Sequence, residues 1–130
     1  MPQSISEQAS LLVQNMDILC DSTQRLDDKF RSKIEKMCQK MYDFFNEYHF
    51  HVNLPTHEYT SYLNHDALSP LTVVLGYAEL FRSVNAHLLT NDELDHVTII
   101  CNQIRYLTES IRSERDVLIG KRDGYTSTNT

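Results

Sequence analysis

Apolar residues recur at spacings of three and four through most of this chain, and that period admits an amphipathic helix and excludes an alternating strand. In the first third the seam runs Ala9, Leu12, Met16, Leu19, Leu26, Phe30, Met37, Met41, Phe44 and Tyr48, interrupted by Thr23 and Lys33. Such a stripe has to be buried against another helix. Only 3 Gly and 3 Pro occur in 130 residues, too few for an all-β chain built on tight turns. Ser4 and Glu7 have capping-box spacing and predict a helix start. Asp21-Ser22-Thr23 offers a second cap, so residues 4–50 form either one helix of about 70 Å or a broken pair.

The segment HVNLPTH, residues 51–57, is the first clear linker. A second helical region then opens at Thr56 or His57 and runs to about Ala86. Its seam is Leu63, Ala67, Pro70 or Leu71, Val74, Ala78, Phe81 and Leu88. A turn is expected over 86–91, followed by a second capping-box pair, Thr90 and Glu93. The last helix carries Leu94, Val97, Ile100, Cys101, Ile104, Leu107, Thr108, Ile111 and Leu118 on its seam, and Gly120 predicts its stop. The polar tail KRDGYTSTNT is expected to be mobile. These boundaries give an N-terminal helical or coiled-coil segment (1–55), a helical hairpin (56–120) and a tail (121–130). Two helices of similar length with a short connection lie antiparallel. They bury little alone, so either a second copy or residues 4–50 must complete a bundle. The expected fold is all-α: an antiparallel hairpin forming a four-helix bundle, expected as a homodimer, with a long N-terminal helix or helix pair.

Charge and composition narrow the function classes. The net charge is −6 and no basic stripe appears, which argues against a nucleic-acid partner. The 3 cysteines form no CxxC pair and read as thiols in a reducing compartment. No apolar run approaches the roughly 20 residues of a membrane span, and MPQSISEQ lacks the parts of a signal peptide. A cytoplasmic protein is expected. His49, His51 and His57 do not have the spacing of a metal site, and no cofactor or metal is expected.

The stretch from Leu63 to Leu80 carries the chemistry. His65 is two residues from Leu63, about 200° around a helix from the apolar seam. Ser69, Thr72 and Gly76 follow at four, seven and eleven, so His65 begins an outward stripe of small and polar residues that a partner surface can approach. Pro70 lacks an N–H for the Asp66 carbonyl and is expected to bend the helix near His65.

The run His65-Asp66-Ala67-Leu68-Ser69-Pro70-Leu71, with Gly76 and Tyr77-Ala78-Glu79-Leu80 beyond it, resembles the phosphoacceptor box of the dimerization and histidine-phosphotransfer domain of two-component sensor histidine kinases. The family pattern is His, an acid, two variable positions, Thr or Asn, Pro, Leu and a later Gly. The resemblance implies that His65 accepts a phosphoryl group and that Asp66 orients the ring and takes a proton. It implies that Ser69 stands where the family positions water and that Pro70 shapes the helix around the site; Thr72 and Gly76 are binding candidates from the outward stripe alone. It also implies a receiver domain or a sensor kinase as partner. Leu68 replaces a frequent Arg or Lys, and Ser69 replaces Thr or Asn. The family's ATP-binding boxes are not in these residues, so no autophosphorylation with ATP is expected. The alternative from a different class is a helical dimerization or interaction module in which His65 is inert.

Overall fold

The computed structural model describes residues 3–128, with side chains described as far as Lys121. Five α-helices follow in order: α1 (Ile5–Ser22), α2 (Asp28–His51), α3 (Thr56–His65), α4 (Leu68–Arg82) and α5 (Asn91–Thr128). A short 3₁₀ turn, Ala86–Leu88, precedes α5.

Local chemistry sets the ends. The Ser4 hydroxyl accepts from the Glu7 N–H at 3.1 Å and opens α1. Thr23 closes it: its hydroxyl donates back to the Leu19 carbonyl at 2.8 Å while its own N–H bonds the same oxygen. Residues 4–50 are therefore a helix pair, broken beside the Asp21-Ser22-Thr23 triplet. The new cap, however, is Asp27, whose carboxylate accepts from the Phe30 N–H at 2.9 Å. At the other hairpin turn the Thr90–Glu93 box is complete. Glu93 Oε1 accepts from the Thr90 N–H at 2.9 Å, and the Thr90 hydroxyl accepts from the Glu93 N–H at 3.1 Å.

Four helices enclose one core. α1 packs on α2 and α5, and α4 packs on the same two, while α3 lies mainly on α5. Across the α1–α5 seam, Gln8 Nε2 donates to Ser110 Oγ at 3.0 Å and Asn15 Nδ2 donates to Gln103 Oε1 at 2.9 Å. Rising numbers on α1 meet falling numbers on α5, so the two helices run antiparallel. Ala9, Leu12, Met37, Met41, Phe44, Ala67, Val74, Ala78, Phe81, Val97, Ile100, Ile104, Leu107 and Ile111 are all inside. Leu71, rather than Pro70, holds the seam position. Ile34, absent from the seam read in sequence, is also buried.

Of the two ways to complete the hairpin, the chain uses its own N-terminal helices. The four-helix core expected from two pooled hairpins lies within one copy, because α1 and α2 already cover the apolar faces of α4 and α5. At the other end α5 passes through Gly120 to Thr128, so Gly120 does not stop the helix. Among the described residues no glycine has positive φ, the conformation a glycine stop requires. A lone helical glycine costs only about 1 kcal/mol and is tolerated. The expected mobile tail thus begins as helix, and its last two residues lie outside the described ones.

Arg25, in the turn after α1, grips Glu93 with two parallel bonds, Nη1 to Oε2 at 2.7 Å and Nη2 to Oε1 at 2.6 Å. This clamp ties the α1–α2 connection to the start of α5. Glu93 is 7% exposed. The Arg25 guanidinium, and then the Thr90 N–H, hold its carboxyl below the ordinary value of 4.5, at about 2. A depressed folded pKa stabilises the fold above the unfolded value and loses that stabilisation as pH falls through the folded one. Glu93→Gln is therefore expected to cost about 1 kcal/mol near pH 7, below the roughly 1.5–3 kcal/mol of a charged hydrogen bond because Arg25 is half open to solvent. Urea melts across pH should show the gap between variant and parent closing as pH falls from 4.5 towards 2.

Candidate functional site around His65

His65 is the last residue of α3, and only Asp66 and Ala67 separate it from α4. The helix widens there: the N–H groups of Asp66 and Ala67 both bond the Tyr62 carbonyl, at 2.9 and 3.0 Å. Pro70 then falls in the first turn of α4, where a missing N–H is least costly. Where Pro70 was expected to bend the helix, α3 and α4 are separated by Asp66 and Ala67, both with αR backbone angles, and His65 stands immediately before this break.

His65 is exposed, as are Ser69, Thr72 and Gly76. A Cβ built at Gly76 meets nothing within 4 Å, so this stretch of α4 is open to an approaching surface. Leu63 and Ala67, on either side of His65, are buried at 1% and 0% exposure, so the register places the seam inward and the imidazole outward. Among the described residues no hydrogen bond or ion pair engages the His65 ring. The Thr72 hydroxyl donates to the Leu68 carbonyl at 3.1 Å, one turn back along α4. Thr72 also lines a groove of about 380 Å³ between α4 and α5 that holds Arg105 and Arg112. Each arginine is held by a carboxylate, Arg105 by Glu79 and Arg112 by Glu109.

Asp66 is exposed but makes no hydrogen bond or ion pair with His65 among the described residues. It lines a different groove, toward α2. The residues read as one box therefore divide. His65 at the end of α3 and Ser69, Thr72 and Gly76 on α4 are all exposed, whereas Asp66 belongs to a groove with α2 residues. Sequence reading missed that groove, because Asp43, Glu47 and His51 lie in a different helix and nothing in the spacing links them to Asp66.

His49 and His51 make local contacts within and around α2. His49 bonds the Phe45 carbonyl through Nδ1 at 2.7 Å and meets Ser6 Oγ through Nε2 at 2.9 Å. His51 bonds the Glu47 carbonyl at 2.7 Å and stacks on Tyr62 with ring centroids 4.1 Å apart. Among the described residues no cluster of three His, Cys, Asp or Glu side chains is placed to hold a metal ion. No helix there is long and apolar enough to cross a membrane.

The chemistry open to this arrangement is that of an exposed, unengaged imidazole at the end of α3. A neutral ring nitrogen is a nucleophile near neutral pH. The surrounding small side chains impose no steric wall. Comparison of the chain with protein-family models, with curated proteins and with solved structures gives no match.

Proposed function

We propose that this chain is a signalling protein of the two-component type whose His65 carries a phosphoryl group to or from a partner. The observation behind the reading is an exposed, unengaged imidazole at the end of α3, five residues before a proline, inside the His65-to-Gly76 box. In the transfer, a His65 nitrogen attacks phosphorus and forms an N–P bond. The P–O bond to the donor breaks, and its electron pair leaves on the donor oxygen. The donor is a phosphorylated receiver aspartate or a kinase-bound nucleotide. The proton on the other ring nitrogen passes to solvent or a partner base. In this reading the protein works in the cytoplasm. Its homodimer joins through outer faces, since each copy supplies its own four-helix core.

A second reading has one observation in its favour. Asp66 faces α2 and makes no bond to His65, so the ring lacks its expected orienting partner. This favours a docking module with an inert His65, since a fold can outlast its chemistry.

Variants on α3 and α4 separate the two. Under phosphotransfer, Ser69→Ala spares acceptance by His65 and slows only the loss of phosphate from a receiver. Under docking, His65→Gln and Ser69→Ala leave partner affinity unchanged, while Gly76→Phe weakens it at least tenfold by obstructing the open stripe. The measurement is label transfer and partner affinity on the same purified variants, using phosphorylated receivers and sensor kinases as partners. A His65→Gln protein that still takes up label at the parent's rate contradicts the first reading.

A further inference from the structure

α1 and α5 each carry a second apolar stripe outside the core. On α1, Ala9, Leu12, Met16 and Leu19 are buried, while Leu11 and Ile18 are exposed. On α5, Ile100, Ile104, Leu107 and Ile111 are buried, while Ile99 and Tyr106 are half exposed. The members of each outer pair are seven residues apart, the spacing that keeps two side chains on one line of a helix and suits packing against further helices. The two helices are neighbours, bridged by the Gln8–Ser110 and Asn15–Gln103 bonds. Leu11, Ile99 and Tyr106 line one groove of about 410 Å³ between them.

A single exposed apolar side chain is ordinary. Charge sets this strip apart. Although 23% of the chain is charged, no Asp, Glu, Lys or Arg lines the groove. Its polar members besides Tyr106 are all side-chain amides. Gln103 Oε1 accepts from Asn15 and keeps its own N–H donors free, and the Asn102 side chain has no bond among the described residues. Exposed acids on the same two lines, Glu7 one turn before Leu11 and Asp95 one turn before Ile99, fall at opposite ends of the strip. An uncharged centre that includes tyrosine, with charge at the margin, is the anatomy of a protein interface.

The same features select the occupant. The net charge of −6 makes two copies repel over most approaches. On this strip they can meet without apposing like charges. A strongly charged partner would instead bury charges with nothing to pair them. An amide is donor and acceptor at once, so a strip of amides and alkyl groups is complementary to its own copy turned about a two-fold axis. Thr72 lines a different groove, between α4 and α5, so the strip is separate from the α4 residues of the His65 box.

We infer that the α1–α5 strip is the face through which two copies of this chain join in a two-fold dimer. The inference rests on the homodimer of the functional reading and names its contact, but it needs no phosphate on His65.

Sedimentation equilibrium of the full chain, from micromolar to submillimolar concentration, provides the test. A monomer–dimer equilibrium is expected. Ile99→Asp with Tyr106→Asp should raise the dimer Kd at least about tenfold, because each copy brings like charges to the contact. Both positions are exposed, so the melting temperature should stay near the parent's. Leu11→Glu repeats the test from α1 and decides it if the α5 pair does not fold. Val84→Asp, exposed just after α4, is the control and should leave the Kd unchanged. A chain that stays monomeric throughout overturns the inference. So does a dimer undiminished in the folded α1 and α5 variants, or one weakened equally by Val84→Asp. Phosphate uptake is read separately, so a monomer that accepts label on His65 would sink this inference and leave phosphotransfer standing.

Discussion

Replacing Phe81 by Ala is expected to destabilise the protein by about 3–5 kcal/mol, a large part of the roughly 5–15 kcal/mol that holds a domain of this size. Phe81 is fully buried near the end of α4, with its ring centroid 4.9 Å from Phe30 near the start of α2 and 6.2 Å from Tyr77. The Phe30–Phe81 pair joins α4 to α2. Its loss removes aromatic contact and leaves a cavity that rigid neighbouring helices fill only in part. Val73→Ala, on the exposed side of the same helix at 40% exposure, is the control and should change stability by no more than about 0.5 kcal/mol. Urea unfolding followed by circular dichroism measures both. Equal effects would mean that α4 is not packed through Phe81.

Removing α1 and α2 is the second large change. A fragment of residues 55–130 keeps the hairpin and the whole His65 box but uncovers the faces of α4 and α5 that the first two helices bury. It also loses the Arg25–Glu93 clamp and the Asn15 and Gln8 bonds to α5. The fragment is expected to lack a cooperative thermal transition as a monomer. At micromolar concentration it should run at twice its mass or more, as exposed seams pair between copies. A fragment that melts cooperatively as a monomer would show that the hairpin does not depend on α1 and α2.

The helical period carried most of the fold into the sequence. Leu12, Met37, Phe44, Leu63, Val74, Phe81, Ile104 and Ile111 were readable as core because a 3.6-residue repeat brings them to one face, and all eight are buried. The Thr90–Glu93 box was readable because its two bonds are local. What local patterns omit is pairing at long range. Nothing near Glu93 in sequence announces Arg25, and nothing near Asp66 announces Glu47. Whether α1 and α2 or a second copy would cover the hairpin was equally undetermined, because an apolar seam specifies burial but not its partner. Gly120 misled for the converse reason. A glycine ends a helix only when the chain turns into positive φ, and that turn is a tertiary choice.

The exposure of His65 followed from its register against Leu63, and Pro70 announced the break between α3 and α4. The surroundings of Asp66 did not, because its role was implied by the resemblance alone and the α2 residues that share its groove are remote in sequence.

The claim that His65 carries phosphate is tested most directly by incubating the protein with a labelled phosphorylated receiver domain or a sensor kinase with labelled ATP. The label is then mapped by mass spectrometry under alkaline conditions that preserve phosphohistidine. The chain has 6 histidines, so the position matters as much as the uptake. The account predicts acid-labile phosphate on His65 alone. That label should be absent in His65→Gln, whose helicity and melting temperature match the parent because the ring makes no core contact. Label on another histidine, or undiminished label in His65→Gln, would contradict the account, and so would a His65→Gln chain that no longer folds.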